Sequence, residues 1–299
     1  MPKGTLRFSA SSPPSVVKSF VMNPDPGASH WGSAFRLAAS QKWRRQSAAM
    51  GAGVTQAIVQ LAAARPGMQV LDLACGTGEP AISLAAQVGV KGRVIGIDVN
   101  SDLLEVARGR AQQRSLDNIE FRQADAHALP FSPESFDLVT SRFGVMFFDD
   151  IARALGEARR VLRPQGRIAL LAWGPFEQPY FLSTMAVVRR HVNVSTLQPG
   201  SLSMFRFAQT GSLTAVLKQV GFTRTEESTV TVPWSWPGTP EEMWEYFREI
   251  TVPFRPLLSS IPPDKAEQVN AEVIAAIGRH YDGKQVNFTA DVVLASAQK

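Results

Sequence analysis

The chain has a single cysteine, Cys75, in 299 residues. An internal disulfide and a multi-cysteine metal site are therefore both excluded, which fits a reducing compartment. There is no apolar run near the ~20 residues that cross a bilayer, and the first residues lack the apolar centre of a secretory signal; a soluble, cytoplasmic protein is expected. Acid is scarce at the start: residues 1–60 carry Lys3, Arg7, Lys18, Arg36, Lys42, Arg44 and Arg45 against Asp25 alone. Removing those six net positive charges from the total of +5 leaves residues 61–299 at −1. With no clustered basic run and no zinc- or RNA-binding signature, the basic start reads as a solvated face, and no nucleic acid is expected. No internal repeat is present. The Ser-, Pro- and Gly-rich segment 1–28 reads as a loose or disordered arm.

What is present centres on Val70-Leu-Asp-Leu-Ala-Cys-Gly-Thr-Gly-Glu-Pro-Ala81. Residues suited to a buried strand lead into Gly76 and Gly78, and Pro80 follows where a helix tolerates a missing amide hydrogen. Glycine lets the backbone approach a ligand, and a new helix offers unpaired N–H groups and partial positive charge, so the turn suits an anion. Gly76-x-Gly78-x-x-Ala81 also satisfies the dinucleotide fingerprint in its G/A form, with Asp98 placed at the end of Val94-Ile-Gly-Ile97 where a ribose-binding acid belongs. Cys75, inside the turn with no adjacent activating base, reads as a small filler.

A hydrophobic content of 44% allows one substantial core. Residues 29–64 show helical periodicity and form an N-terminal helical cap. Strand-like segments at 69–73, 93–98, 118–123, 136–141 and 167–173 then alternate with helices at 79–88, 101–114 and 149–162; later strands are expected at 223–234 and 287–297. This alternation predicts an α/β fold, a doubly wound, Rossmann-like, mostly parallel seven-stranded sheet with helices on both faces. The main domain spans 65–299, with helical insertions at 174–208 and 235–285 read as a lid. Ligands bind at the carboxyl ends of such strands, which is where Gly76, Asp98, Asp125 and Arg142 fall. A helix is predicted around 180–192, and Thr239-Pro-Glu-Glu242 carries a capping box that starts another.

Four stretches extend the pattern: Val70 to Gly78; Ile95-Gly-Ile-Asp98; Ala124-Asp-Ala126 with Leu129-Pro-Phe131 before Phe136-Asp-Leu-Val139; and Glu157-Ala-Arg-Arg-Val-Leu-Arg-Pro-Gln-Gly166. Together they resemble the core of class I S-adenosylmethionine-dependent methyltransferases, and more closely the C-methyltransferases of ubiquinone and menaquinone biosynthesis (UbiE-like). The resemblance covers Val70 to Trp173. It implies S-adenosyl-L-methionine as cofactor rather than a nicotinamide dinucleotide. Its methionine end would lie on the backbone of Ala74, Gly76 and Thr77, within the turn that Gly78 closes. Asp98 would take the ribose hydroxyls, Val99 the adenine face, Asp125 the adenine amino group and the Ala126 N–H a ring nitrogen. Arg142 departs from the family pattern and is expected either near the cofactor's amino group or turned toward an anionic substrate. Ala74 stands where many relatives have glycine, which is tolerable if its φ stays negative.

In-line methyl transfer needs placement and water exclusion more than side-chain chemistry, and no general base is assigned; His127 is read as a pocket-rim residue. Phe143, Met146, Phe147 and Phe148 should border the transfer position, with Trp31, Trp173, Trp234, Trp236, Trp244 and Phe247 closing over it. Trp31, Phe143 and Phe147 are the candidate substrate contacts. Such a lining suits a small, aromatic, quinone-like or lipid-like molecule. Methylation of rRNA or protein, and a non-catalytic S-adenosylmethionine-binding module, are the alternatives. The composition leaves room for peripheral membrane contact and for a homodimer. No metal is expected.

Overall fold

The computed structural model of the protein describes residues 34–192 and 203–299; the expected arm at 1–28 and Trp31 lie outside them. Before the sheet come α1 (Ala34–Lys42), α2 (Arg44–Met50) and α3 (Ala52–Ala62). The α/β alternation then runs β1 (Gln69–Leu73), α4 (Ala81–Val88), β2 (Arg93–Asp98), α5 (Ser101–Gln113), β3 (Ile119–Gln123), β4 (Phe136–Arg142), α6 (Ile151–Val161) and β5 (Leu162–Trp173). It continues with α7 (Pro179–Ser183), α8 (Met185–Arg189), α9 (Ser212–Gln219), β6 (Thr223–Trp236), α10 (Pro240–Ile250), α11 (Arg255–Ser259), α12 (Ala266–Gly278) and β7 (Val286–Gln298).

The strand order is β3-β2-β1-β4-β5-β7-β6. Strands β1 to β5 run parallel, whereas β7 pairs antiparallel with both β5 and β6. The central strands are apolar on both faces because both faces are covered. Leu71, Leu73 and Val139 join a core with α6, while Val70 and Leu138 join another with α4 and α5. Each fully buried leucine or isoleucine of this kind contributes about 1.5–3 kcal/mol. Strand order reverses on either side of β1, since the chain goes outward through β2 and β3 and returns to lay β4 on the opposite edge. A cleft opens at such a reversal, beyond the carboxyl ends of β1, β2 and β4.

Several boundaries moved for local physical reasons. The sixth helix stops at Val161, and Pro164 and Gly166 lie inside β5, which is longer than expected. The expected helix around 180–192 is two short ones, separated at Thr184, whose ψ of −85° is not helical. The Thr239 capping box is present in full, with Pro240 at the first helical position.

Candidate active site

A cavity of about 890 Å³ opens over the carboxyl ends of β1, β2 and β4. It is lined by Ala74, Gly76, Thr77, Asp98, Val99, Asp125, Ala126, Arg142, Phe143 and Phe147. Gly78 is not in the lining. A Cβ there would stand 2.6 Å from Ile82 Cδ1, so this glycine seats the turn on the helix beneath it. A Cβ on Gly76, with φ of +53°, would meet nothing within 4 Å, which leaves the turn open to a ligand.

Ala74 corrects one expectation: its φ is +53°, in the left-handed region. A non-glycine residue there costs about 1–2 kcal/mol, and its small side chain fits only because Gly144 has none. A Cβ on Gly144 would come within 2.6 Å of both Ala74 Cβ and Ser141 Oγ. Phe143, with φ of +63°, is also left-handed. Two strained residues thus form one wall of the cavity, where the surrounding packing holds them.

At the end of β2, Asp98 is buried and its carboxylate is held by backbone. Gly76 N–H donates to Oδ2 at 2.9 Å and Asn100 N–H to Oδ1 at 3.0 Å. Asn100 in turn caps α5 by accepting from Leu103 N–H at 2.9 Å. The acid, the glycine turn and the helix start are thereby locked together. Val99 follows, an apolar side chain 52% exposed on the cavity wall. At the end of β3, Asp125 Oδ1 meets both the backbone N–H of His127, at 2.9 Å, and its Nδ1, at 2.6 Å. The first of these contacts, with the imidazole second, holds the Asp125 carboxyl below its usual range. His127 lines the cavity and fixes Asp125, with its own Nε2 buried without a partner.

The cavity also has a cationic lining. Arg44, Arg110, Arg114 and Arg142 line it with Glu79. Arg110 Nη1 donates to the Thr77 carbonyl at 2.9 Å and to Thr77 Oγ1 at 3.0 Å, while Arg114 reaches Glu79 at 3.1 Å. Burial, and then repulsion from Arg114, Arg142 and Arg44, lowers the Arg110 pKa against the pull of Glu79. Arg142 donates through Nη1 to Thr55 Oγ1 of α3 at 2.8 Å, and its Nε has no partner. Burial lowers its pKa too, opposed first by Glu79 and then by Asp72. Asp72 lies beneath the turn, fully buried, accepting from Thr140 Oγ1 at 2.7 Å; burial pushes its pKa up to about 7.

The aromatic expectation holds in part. Phe143, Phe147, Phe148 and Trp234 line the cavity, joined by Tyr246 and Ile250 of α10. Met146, Trp173, Trp236, Trp244 and Phe247 do not; they are packed in the core, with Trp236 stacked on Tyr246 at 4.7 Å. Among the described residues the 174–208 insertion contributes nothing to the lining, whereas the N-terminal helices contribute Ser47, Gly51 and Thr55. Sequence reasoning missed Thr55, Arg110, Tyr246 and Asp72. Only Asp72 left a signal, an acid inside an otherwise apolar strand; the others are brought in by tertiary packing.

Comparison with known proteins agrees with this geometry. Residues 53–199 match the model of the ubiE/COQ5 methyltransferase family. The chain is 42% identical over 105 residues to a demethylmenaquinone methyltransferase of Lactococcus lactis, covering 35% of this chain and 42% of that protein. It is 40% identical over 114 residues to the ubiquinone/menaquinone biosynthesis C-methyltransferase UbiE of Shewanella frigidimarina, covering 38% and 45%. The chain thus spans under half the length of these curated relatives. Among solved structures, a putative methyltransferase of Bacillus halodurans superposes with a TM-score of 0.53 at 23% identity, over 82% of this chain and 98% of that one. That likeness establishes the fold.

Proposed function

We propose, from the premise that residues 53–199 form a class I S-adenosylmethionine-dependent methyltransferase core of the ubiE/COQ5 type, that the protein methylates a small aromatic molecule. The observation that carries the reading is the joint placement of Asp98, the open Gly76 turn and half-exposed Val99 on one cavity wall. These residues fit the cofactor's parts. The Asp98 carboxylate, anchored by backbone N–H groups, is an acceptor suited to a ribose diol. Val99 offers an apolar face to the adenine, Asp125 Oδ2 can accept from its amino group, and the Ala126 N–H can donate to the ring. Arg110, anchored on Thr77, places a cation beside the turn where a methionine carboxylate would lie. Gly76 and Ala74 supply backbone to the same end.

When bound, S-adenosyl-L-methionine supplies a methyl group already activated by its sulfonium. The protein's share is to hold an acceptor in line and to keep water out. Phe143, Phe147, Phe148, Trp234 and Tyr246 do both, by giving the acceptor apolar walls; well-oriented intramolecular reactions gain roughly 7–11 kcal/mol from such placement. The quinone-like class of acceptor is supported by the names of the two curated relatives, which match over 105 and 114 residues. Two measurements test the reading. Calorimetric titration should show S-adenosylhomocysteine binding and no NAD binding. Incubation with methyl-labelled cofactor should label a small-molecule extract and leave RNA and protein fractions unlabelled; label confined to RNA or protein would overturn it.

A further inference from the structure

Arg142 is more than the fold requires. It ends β4 inside the cavity, a position where a charged side chain must be stripped of water, and its guanidinium presents five donors. Its Nη1 donates to Thr55 Oγ1 at 2.8 Å, and Nε is buried without a partner. The protein itself therefore leaves the guanidinium's donors partly unfilled, and an unfilled buried donor favours a ligand that brings an acceptor to the group. Arg142 lines the cavity, and Gly51 packs so close to it that a Cβ there would sit 3.4 Å from Nη1. Thr55 is itself held by the Gly51 carbonyl at 3.0 Å, so the guanidinium is aimed from two sides.

The glycine turn has its own cation, because Arg110 lies on Thr77. Arg142 stands instead beside Phe143, and the cavity wall there is shared with Trp234 and Tyr246. Glu79 and Asp72 are the nearby acids. Glu79 is already bonded to Arg114 and Ser83, and Asp72 to Thr140, and neither makes a hydrogen bond to Arg142. The Arg142 guanidinium and the aromatic residues Phe143, Trp234 and Tyr246 therefore border the same cavity.

We propose that Arg142 is a specificity-determining anchor for the acceptor, which is an aromatic molecule carrying a carboxylate or phosphate that pairs with the Arg142 guanidinium while its ring lies against Phe143, Trp234 and Tyr246. This rests on the methyltransferase reading and adds a charge requirement to it. The reaction itself is unchanged; the anion is recognised and no bond to it is made or broken.

The test uses the full-length protein saturated with S-adenosylhomocysteine and three probes: benzoate, phenyl phosphate and methyl benzoate, titrated by calorimetry. At least one of the two aryl anions should bind ten-fold or more tightly than the neutral ester, and the better anion identifies which group the site takes. Arg142→Gln should abolish that preference, Arg142→Lys should keep part of it, and S-adenosylhomocysteine affinity should change less than three-fold in either. A melting curve on each variant separates loss of the anion from loss of the fold; if Arg142→Gln does not fold, Thr55→Val, which releases the guanidinium from its support, must reduce the preference in its place. Equal binding of ester and anions, no anion binding, or a preference surviving in the variant would overturn the proposal. So would a ten-fold loss of S-adenosylhomocysteine affinity in Arg142→Gln, which would assign the arginine to the cofactor. Failure of the wild-type protein to bind S-adenosylhomocysteine at all would sink the methyltransferase reading itself.

Discussion

Asp98 carries a structural load and, in the proposed reading, a ligand-binding one, and a single substitution removes both. Its carboxylate binds the Gly76 and Asn100 amides, so Asp98→Ala should both loosen the turn and remove the ribose acceptor. Cofactor affinity should fall at least ten-fold, read by titration with S-adenosylhomocysteine. Asp72 makes a pH prediction. Its folded pKa, about 7, lies above the ordinary 3.8 because burial disfavours the charge. Below pH 4 both folded and unfolded chains hold the proton and the burial costs nothing extra. As pH rises from about 4 to about 7 the unfolded chain loses its proton first, so stability falls, by roughly 4 kcal/mol over the whole interval, and then levels off. Asp72→Asn keeps an acceptor for Thr140 and removes the titration. Relative to wild type it should gain stability between pH 5 and pH 8 in urea denaturation; parallel curves would contradict the assignment. At Gly144, alanine should cost about 1–3 kcal/mol by overpacking Ala74 and Ser141, and Ala74→Gly in the same chain should recover part of that loss.

Helix α10 shows how an element outside the sheet becomes part of the site. Its capping box and Pro240 start it, and Tyr246 and Ile250 on its inner face reach the cavity. Its outer edge holds α1: Lys42 binds Glu245 at 2.6 Å and Glu249 at 3.2 Å, and the buried Trp43 indole N–H donates to Glu249. These two acids should not be equivalent. Glu245 meets only a half-exposed lysine, and such pairs contribute at most about 1 kcal/mol. Glu249→Ala strands a buried indole donor and should cost about 1–3 kcal/mol, whereas Glu245→Ala should be nearly neutral in the same denaturation assay. The α/β alternation and this capping box were legible in the sequence, since periodicity and capping chemistry act over a few residues. That α10 and α3 wall the cavity, to which the described residues of the 174–208 insertion contribute nothing, was not. Both insertions have apolar faces, and periodicity marks a face without naming what covers it.

At the scale of the whole molecule, binding should show as stability. A cofactor product at a hundred times its dissociation constant adds about 2.7 kcal/mol, which for a chain of this length raises Tm by roughly 5 °C; NAD should leave Tm unmoved. The mostly parallel sheet and a cleft at the carboxyl ends of its strands followed from the alternation, and Gly76, Asp98, Val99, Asp125 and Ala126 lie together on that cleft. The motifs mark the carboxyl ends of adjacent strands, and parallel pairing brings those ends together whatever else the chain does. The left-handed Ala74, the packing of Gly78 beneath the turn and the proposed acceptor wall have a different origin. Ala74 keeps its backbone angle because Gly144, 70 positions away by number, leaves it space. Arg142 faces the cavity because Thr55 holds it there. Local pattern determined the nucleotide-type scaffold and the cofactor wall, because each depends on neighbours in sequence; the cationic, aromatic acceptor side was decided only when distant segments packed, because burial and unmet hydrogen bonds exist only once those segments touch.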